Sequence, residues 1–298
     1  MVTSLQRNAV SPNDAYAVID EKEPTGDGTV VDVTTIFLTA SECPIGCSMC
    51  DLWQNTLTTP TPAGAIVTQI TKAIKDRQRG DWIKLYNSGN FFDPQSIPPD
   101  DYAAIADQCK PYSRVIVENH PKFGERRMHT FRDLIDAQLE IAVGLETVQP
   151  RWLDRLNKQM SRDDFDKYAG RLFKAGIDLR VFLIVGVPGV SSAEAIKWAR
   201  LSVRHACHVG ARHISLIPAR QGHGWNGRAD ELPQVSLSEL DQLHQSAIED
   251  TAGASVVTVD LWDIGKPASA AENEVAQQIA MRNLSQQNMA NVTVEKSR

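Results

Sequence analysis

The chain has 298 residues, a formal net charge of -6, 42% hydrophobic residues and 23% charged ones, the mix of an ordinary globular protein with room for one large core or two smaller ones. The acidic balance speaks against a generally basic surface for nucleic acid, and no apolar run approaches the length of a membrane span. The N-terminus lacks the apolar core of a secretion signal. Five cysteines, three of them clustered, do not suggest a disulfide framework, so a reducing, cytoplasmic location is expected.

Residues 1–29 carry turn formers, Ser11-Pro12-Asn13-Asp14 and Pro24-Thr25-Gly26-Asp27-Gly28, and read as a loosely attached arm. A regular alternation follows. Strands are predicted at Val30–Leu38, Trp82–Tyr86, Val115–Val117, Leu139–Leu145, Leu179–Val185, His213–Ile217 and Val256–Leu261. Helices are predicted at Pro62–Arg79, where Ile66, Ile70 and Ile74 recur four apart, and at Pro99–Cys109, Glu125–Ala137, Ser161–Gly176, Ser192–Val209 and Ser236–Thr251. This order predicts an α/β fold with parallel strands, a partial (β/α)6 TIM-like barrel over 30–262. A doubly wound sheet is the competing topology, and no Gly-rich nucleotide fingerprint follows any strand. The Gln/Asn-rich residues 263–298 read as a polar tail, helical or fraying.

The most informative stretch is Cys43-Pro44-Ile45-Gly46-Cys47-Ser48-Met49-Cys50, just after the first apolar run. Three thiolates within eight residues point to one metal centre, and soft ligands select iron-sulfur clusters, zinc or copper(I). Structural zinc takes four ligands, and no second cysteine pair exists: Cys109 and Cys207 fall singly in predicted helices and read as small core residues. Three thiolates on a four-iron cluster leave one iron open, which a reactive cluster needs. A zinc-binding or redox-labile loop is the blander alternative.

In parallel barrels chemistry gathers at the C-terminal ends of strands. The second predicted strand runs into Asn87-Ser88-Gly89-Asn90-Phe91-Phe92-Asp93-Pro94, the third into Glu118-Asn119-His120-Pro121, and the fourth into Gly144-Leu145-Glu146-Thr147. Amides, carbonyls and carboxylates there can hold an ammonium or ribose hydroxyls; an Asn/Gly turn and solvated acids are the competing readings. The fifth strand ends in Val185-Gly186-Val187-Pro188-Gly189. The sixth leads into a loop carrying Arg220, Gln221, His223 and Trp225, read as substrate-binding against the alternative of an ordinary surface loop.

The cysteine spacing directly after a first strand resembles the radical S-adenosylmethionine superfamily. Glu-x-x-Pro at Glu118, Gly-Leu-Glu at Glu146, Leu-Asn-Lys at Lys158 and Gly-x-Pro-Gly at Gly186 are similar to its elongator-like, coproporphyrinogen-oxidase and archaeosine-lyase branches. The resemblance covers about residues 30–262. It implies Cys43, Cys47 and Cys50 as ligands of a [4Fe-4S] cluster, with Ser88, Gly89, Asn90, Glu118, Glu146, Lys158 and Gly186 around S-adenosyl-L-methionine. It also implies reductive cleavage of that cofactor to a 5'-deoxyadenosyl radical, which takes hydrogen from a small-molecule or nucleoside substrate in a lyase or rearrangement reaction. An electron donor such as flavodoxin or ferredoxin would be required, and transfer RNA is a partner the charge does not favour. Four positions depart from the family pattern. Met49 replaces an aromatic, Ser88-Gly89-Asn90 lacks the usual acid, and Glu146 and Lys158 stand where a Gln and an Arg are usual. These departures keep a second reading open, a non-catalytic metal-binding or assembly module of the same fold.

Overall fold

A computed structural model describes residues 6–219, 231–262 and 268–287. Strands β1 (Ala17–Pro24), β2 (Val30–Phe37), β3 (Trp82–Tyr86), β4 (Arg114–Glu118), β5 (Gln138–Glu146), β6 (Asp178–Val185), β7 (His213–Pro218) and β8 (Val256–Val259) follow one another across the sheet in chain order. Helices α1 (Ala65–Ile74), α2 (Tyr102–Cys109), α3 (Glu125–Leu134), α4 (Pro150–Arg155), α5 (Arg162–Lys174), α6 (Ser192–His208) and α7 (Leu237–Thr251) separate them from β2 onward, and α8 (Ala270–Ser285) comes after β8. The pairs β2–β3, β3–β4, β4–β5, β6–β7 and β7–β8 are parallel. A doubly wound sheet reverses its strand order at a switch point. This order never reverses, so the fold is the expected partial (β/α)-barrel class. Among the described residues no helix is long and apolar enough to cross a membrane.

The chain divides into two compact units. The first comprises Met1–Lys22, Val31–Val143 and Arg171–Asp178. Its strands bury Val33, Ile36, Ile83, Leu85, Val115, Ile116 and Val117, the apolar runs expected of parallel strands between covering layers, with Thr34, Thr35 and Lys84 buried among them. Helix α1 turns Ile66, Ile70 and Ala73 inward. It stops at Ile74, short of the predicted Arg79, because residues 75–79 are exposed and have nothing to bury. Cys109 is buried in α2 as a small core residue.

Residues 17–24, expected to belong to a loose arm, form β1. Its charged side chains find partners distant in sequence: Asp20 pairs with Arg77, Glu21 with Lys84 and Thr35, and Lys22 with Asp32.

The second unit comprises Glu23–Val30, Gly144–Gly170 and Leu179–Arg298. Glu23, Arg180 and His213 are each no more than 4% exposed. The Glu23 carboxylate pairs with Arg180, with Arg212 at 3.0 Å and with His213 Nδ1 at 3.2 Å. His213 Nε2 meets Thr258 Oγ1 at 2.9 Å. Burial, reinforced by the Arg180 charge and opposed by Glu23, pushes the His213 imidazole down to about 4. A capping box of Ser236 and Glu239 opens α7, and Asp250 near its end is gripped by Arg200 and Arg204 of α6.

Of the two readings of the tail, the helical one describes Ala270–Ser285, where α8 runs to its cap at Gln286. Asn283 accepts from Val259 N and donates to Val259 O, both at 2.8 Å. Gln286 accepts from Val257 N at 2.8 Å and donates to Val257 O at 2.9 Å. The two amides thus occupy the hydrogen-bonding positions on the outer edge of the last strand, where a further strand would otherwise lie.

Candidate functional site

The cysteine loop leaves β2 through Leu38–Glu42. Leu57 N donates to Ala40 O at 2.8 Å, Glu42 N to Leu57 O at 3.1 Å, and Ser41 N to Thr61 Oγ1 at 3.0 Å. Arg7 adds an ion pair to Glu42 at 2.5 Å and donates to Trp53 O and Thr56 O. Between these ties, Cys43, Cys47 and Cys50 are half-buried and form no disulfide. Burial pushes the Cys50 thiol up to about 12; a backbone hydrogen bond from Leu52 pulls it down, while Cys47 and Cys43 raise it further. Among the described residues no three His, Cys, Asp or Glu side chains converge on a single metal ion. A four-iron cluster asks for a different arrangement, one thiolate on each of three irons. The donor set, three soft thiols from one loop, fits that group.

The loop after β3 is held against the cysteines by Glu118, the last residue of β4. Glu118 Oε1 accepts from Asn87 N at 2.7 Å and from Gly89 N at 3.2 Å. Phe91 and Phe92 seat the loop from behind. They are fully buried with Tyr102 and Phe131, ring centroids 4.9–6.4 Å apart, a packing that aromatic rings favour. So placed, Asn90 Nδ2 donates to Cys43 Sγ at 3.2 Å, and Asn90 Oδ1 accepts from His120 N at 2.8 Å. Ser88 adopts a left-handed backbone, φ 55°, and its hydroxyl meets the Tyr16 hydroxyl at 2.9 Å. A non-glycine residue in this region marks a position the surroundings over-determine. Asn87 Oδ1 is buried without a hydrogen-bond partner, although its Nδ2 donates to Ser96. It is a spare acceptor beside the loop that carries the thiols' neighbour.

In the second unit Glu146, the last residue of β5, also has a left-handed backbone, φ 66°, as do Asn157 and Gln159 at φ 52° on either side of Lys158. Lys158 Nζ donates to Glu146 Oε1 at 2.7 Å, and both side chains are buried. A Cβ on Gly144 would lie 2.3 Å from Glu146 Oε1 and 2.7 Å from Lys158 Nζ, so the pair fits because Gly144 has no side chain. The gap at Gly186, φ 106°, is taken by Pro233, whose Cγ would be 2.6 Å from an added Cβ. Trp262 after β8 is 60% exposed rather than packed.

The structure thus brings Cys43, Ser88, Gly89, Asn90 and Glu118 of the expected residues together in the first unit, and pairs Glu146 with Lys158 in the second. Arg220, Gln221, His223 and Trp225 lie outside the described residues. Asn87 and His120, which lie in the strand-end stretches but not among the expected site residues, join the site, and so does Tyr16. Tyr16 sat in the presumed arm, and His120 contributes only its backbone N–H.

No family model matches the chain. Its fold is shared with solved structures of low sequence identity. It is similar to methylornithine synthase, TM-score 0.53 at 12% identity over 85% of this chain and 82% of that one. It is also similar to SuiB of Streptococcus suis bound to S-adenosylmethionine, TM-score 0.54 at 11% identity over 74% and 48%. In sequence it is similar to archaeosine synthase subunit beta of Methanosarcina acetivorans, 26% identical over 160 residues. That match takes in 51% of this chain and 46% of the relative, so the chain spans about half the length of the curated protein it matches.

Proposed function

We propose that the chain is a radical S-adenosylmethionine enzyme in which Cys43, Cys47 and Cys50 hold a [4Fe-4S] cluster. When bound and reduced, the cluster supplies one electron for cleavage of S-adenosylmethionine to methionine and a 5'-deoxyadenosyl radical. The observation that carries this reading is the three-thiol loop, without disulfides, following β2 of a partial barrel, with an amide of the next strand's loop already turned onto one sulfur.

The chain's own residues divide the remaining work. Asn87, Ser88 and Gly89 form a rigid loop that Glu118 holds through its backbone N–H groups, and the spare Asn87 Oδ1 is suited to accept from the cofactor's ammonium. Glu146 and Lys158 form a neutral pair suited to cofactor hydroxyl and carboxylate groups, and the 220–225 loop is assigned to the substrate. Similarity to archaeosine synthase subunit beta favours a lyase or rearrangement step on a modified nucleoside over one on a small metabolite, with a partner subunit and an electron donor of the flavodoxin or ferredoxin class.

The test is anaerobic reconstitution, an iron count, reduction by dithionite with S-adenosylmethionine, and assay of 5'-deoxyadenosine. About four irons and product support the enzyme. A full cluster that cleaves nothing even with the nucleoside substrate supports the non-catalytic module, a reading favoured by one observation: Glu118, Glu146 and Lys158 are already partnered within the chain.

A further inference from the structure

We propose that Asn90 is a positioning residue that sets the reduction potential of the cluster through its hydrogen bond to Cys43. The inference rests on the reading above that the three cysteines hold a four-iron cluster.

Four observations carry it. The bond runs from Asn90 Nδ2 to Cys43 Sγ at 3.2 Å, inside the range for a sulfur acceptor. The orientation of the amide is fixed. His120 N can only donate, and it faces Asn90 Oδ1 at 2.8 Å, so the NH2 end must be the one on sulfur. The residue is 2% exposed, so water does not compete for the donor. Its backbone cannot drift, because Glu118 braces the loop before it, Phe91 N donates to Glu118 O at 2.9 Å after it, and Phe91 and Phe92 anchor it in the aromatic core.

The chemistry follows from charge. One-electron reduction adds negative charge to the cluster and its thiolates, with the electron coming from a low-potential donor and no proton or bond transferred. An N–H donor on a ligand sulfur stabilises the more electron-rich state, and such contacts are a recognised lever on iron-sulfur potentials. A carboxylate at position 90 would do the reverse, placing a negative acceptor against a negative sulfur. The neutral amide therefore makes the cluster easier to reduce.

The test compares wild type with Asn90→Leu and Asn90→Asp after anaerobic reconstitution. It measures iron content and then the midpoint potential by redox titration followed by electron paramagnetic resonance, with no S-adenosylmethionine or substrate present. Asn90→Leu should keep its iron and shift the reduction equilibrium about tenfold against reduction, equivalent to ~59 mV for one electron, and Asn90→Asp should shift it further. Unchanged potentials in fully loaded variants overturn the inference. If the variants do not load, the wild type decides: the iron–thiolate stretching modes should shift on transfer to deuterium oxide, and unshifted modes overturn the inference. A wild type that binds no iron instead overturns the reading beneath it.

Discussion

Two buried polar regions of this chain are built on opposite terms. Around Glu23, one carboxylate meets the Arg180 and Arg212 guanidinium groups and lies 3.2 Å from His213 Nδ1, so the buried carboxylate takes its counter-charge from the chain's own side chains. Around Cys43, a neutral amide faces a half-buried thiol, a strand-end carboxylate is used to hold backbone N–H groups, and an amide oxygen is left spare. The first region draws its counter-charges from the fold, and the second, on the reading proposed above, keeps its acceptor for a ligand. Burial of charge is tolerable only where partners are supplied, so where the chain withholds them a ligand is the natural partner.

The largest test of this contrast is Cys47→Ala. It should abolish iron binding and 5'-deoxyadenosine formation while leaving the circular dichroism spectrum unchanged; wild-type turnover would sink the assignment. Glu23→Gln should do the converse, leaving iron stoichiometry intact but lowering stability in urea by about 3–5 kcal/mol, because two guanidinium groups lose their counter-charge. A loss below about 1 kcal/mol would mean that water, not Glu23, serves those groups.

Acidity should also separate the regions. His213 titrates near 4 in the fold, as does His244, which burial depresses against the hydrogen bond it makes to Val257 O. Their unfolded values lie near 6.5. Between those limits the unfolded chain binds more protons, so stability is full above about pH 6.5 and falls as the pH drops toward 4. His213→Gln should flatten that slope in denaturation curves taken across the window; an unchanged slope would refute it. Asp250, held down to about 2 chiefly by its hydrogen bond to Arg200 and also by Arg204, contributes stability that is present above its ordinary 3.8 and lost only below it. Since those two arginines are 41% and 52% exposed, Asp250→Asn should have the smallest effect, under about 1 kcal/mol, and calorimetry at neutral pH would show it.

What the sequence disclosed depended on how local the signal was. Apolar runs and turn residues announced seven strands in the right order, and Ile66, Ile70 and Ile74 announced α1. Strand β1 stayed hidden because Asp20-Glu21-Lys22-Glu23 reads as surface, and the partners of Asp20, Glu21 and Glu23, which are Arg77, Lys84 and Arg180, are far along the chain. Helix α4 was missed for its six residues, although Pro150 at its first turn was a start signal. The three cysteines could be read from spacing alone. The Asn90 bond to Cys43 spans 47 residues, and no local pattern encodes a contact that exists only once two strands are side by side. Glu118 was legible as a strand-end acid, but its grip on the neighbouring loop depends on parallel register, Leu85 beside Val117.

The amides of Asn283 and Gln286 on β8 bear on self-association. An open strand edge is adhesive, and here the seal is a pair of side chains on a helix instead of backbone. A seal of that kind can come off while the sheet stays folded. Whatever loosens α8, whether a substitution at either amide or loss of the Arg282–Asp241 ion pair at 2.6 Å that tethers the helix to α7, would expose β8 as a template for a second molecule. Association set off in this way would begin at the last strand, from molecules that are otherwise native.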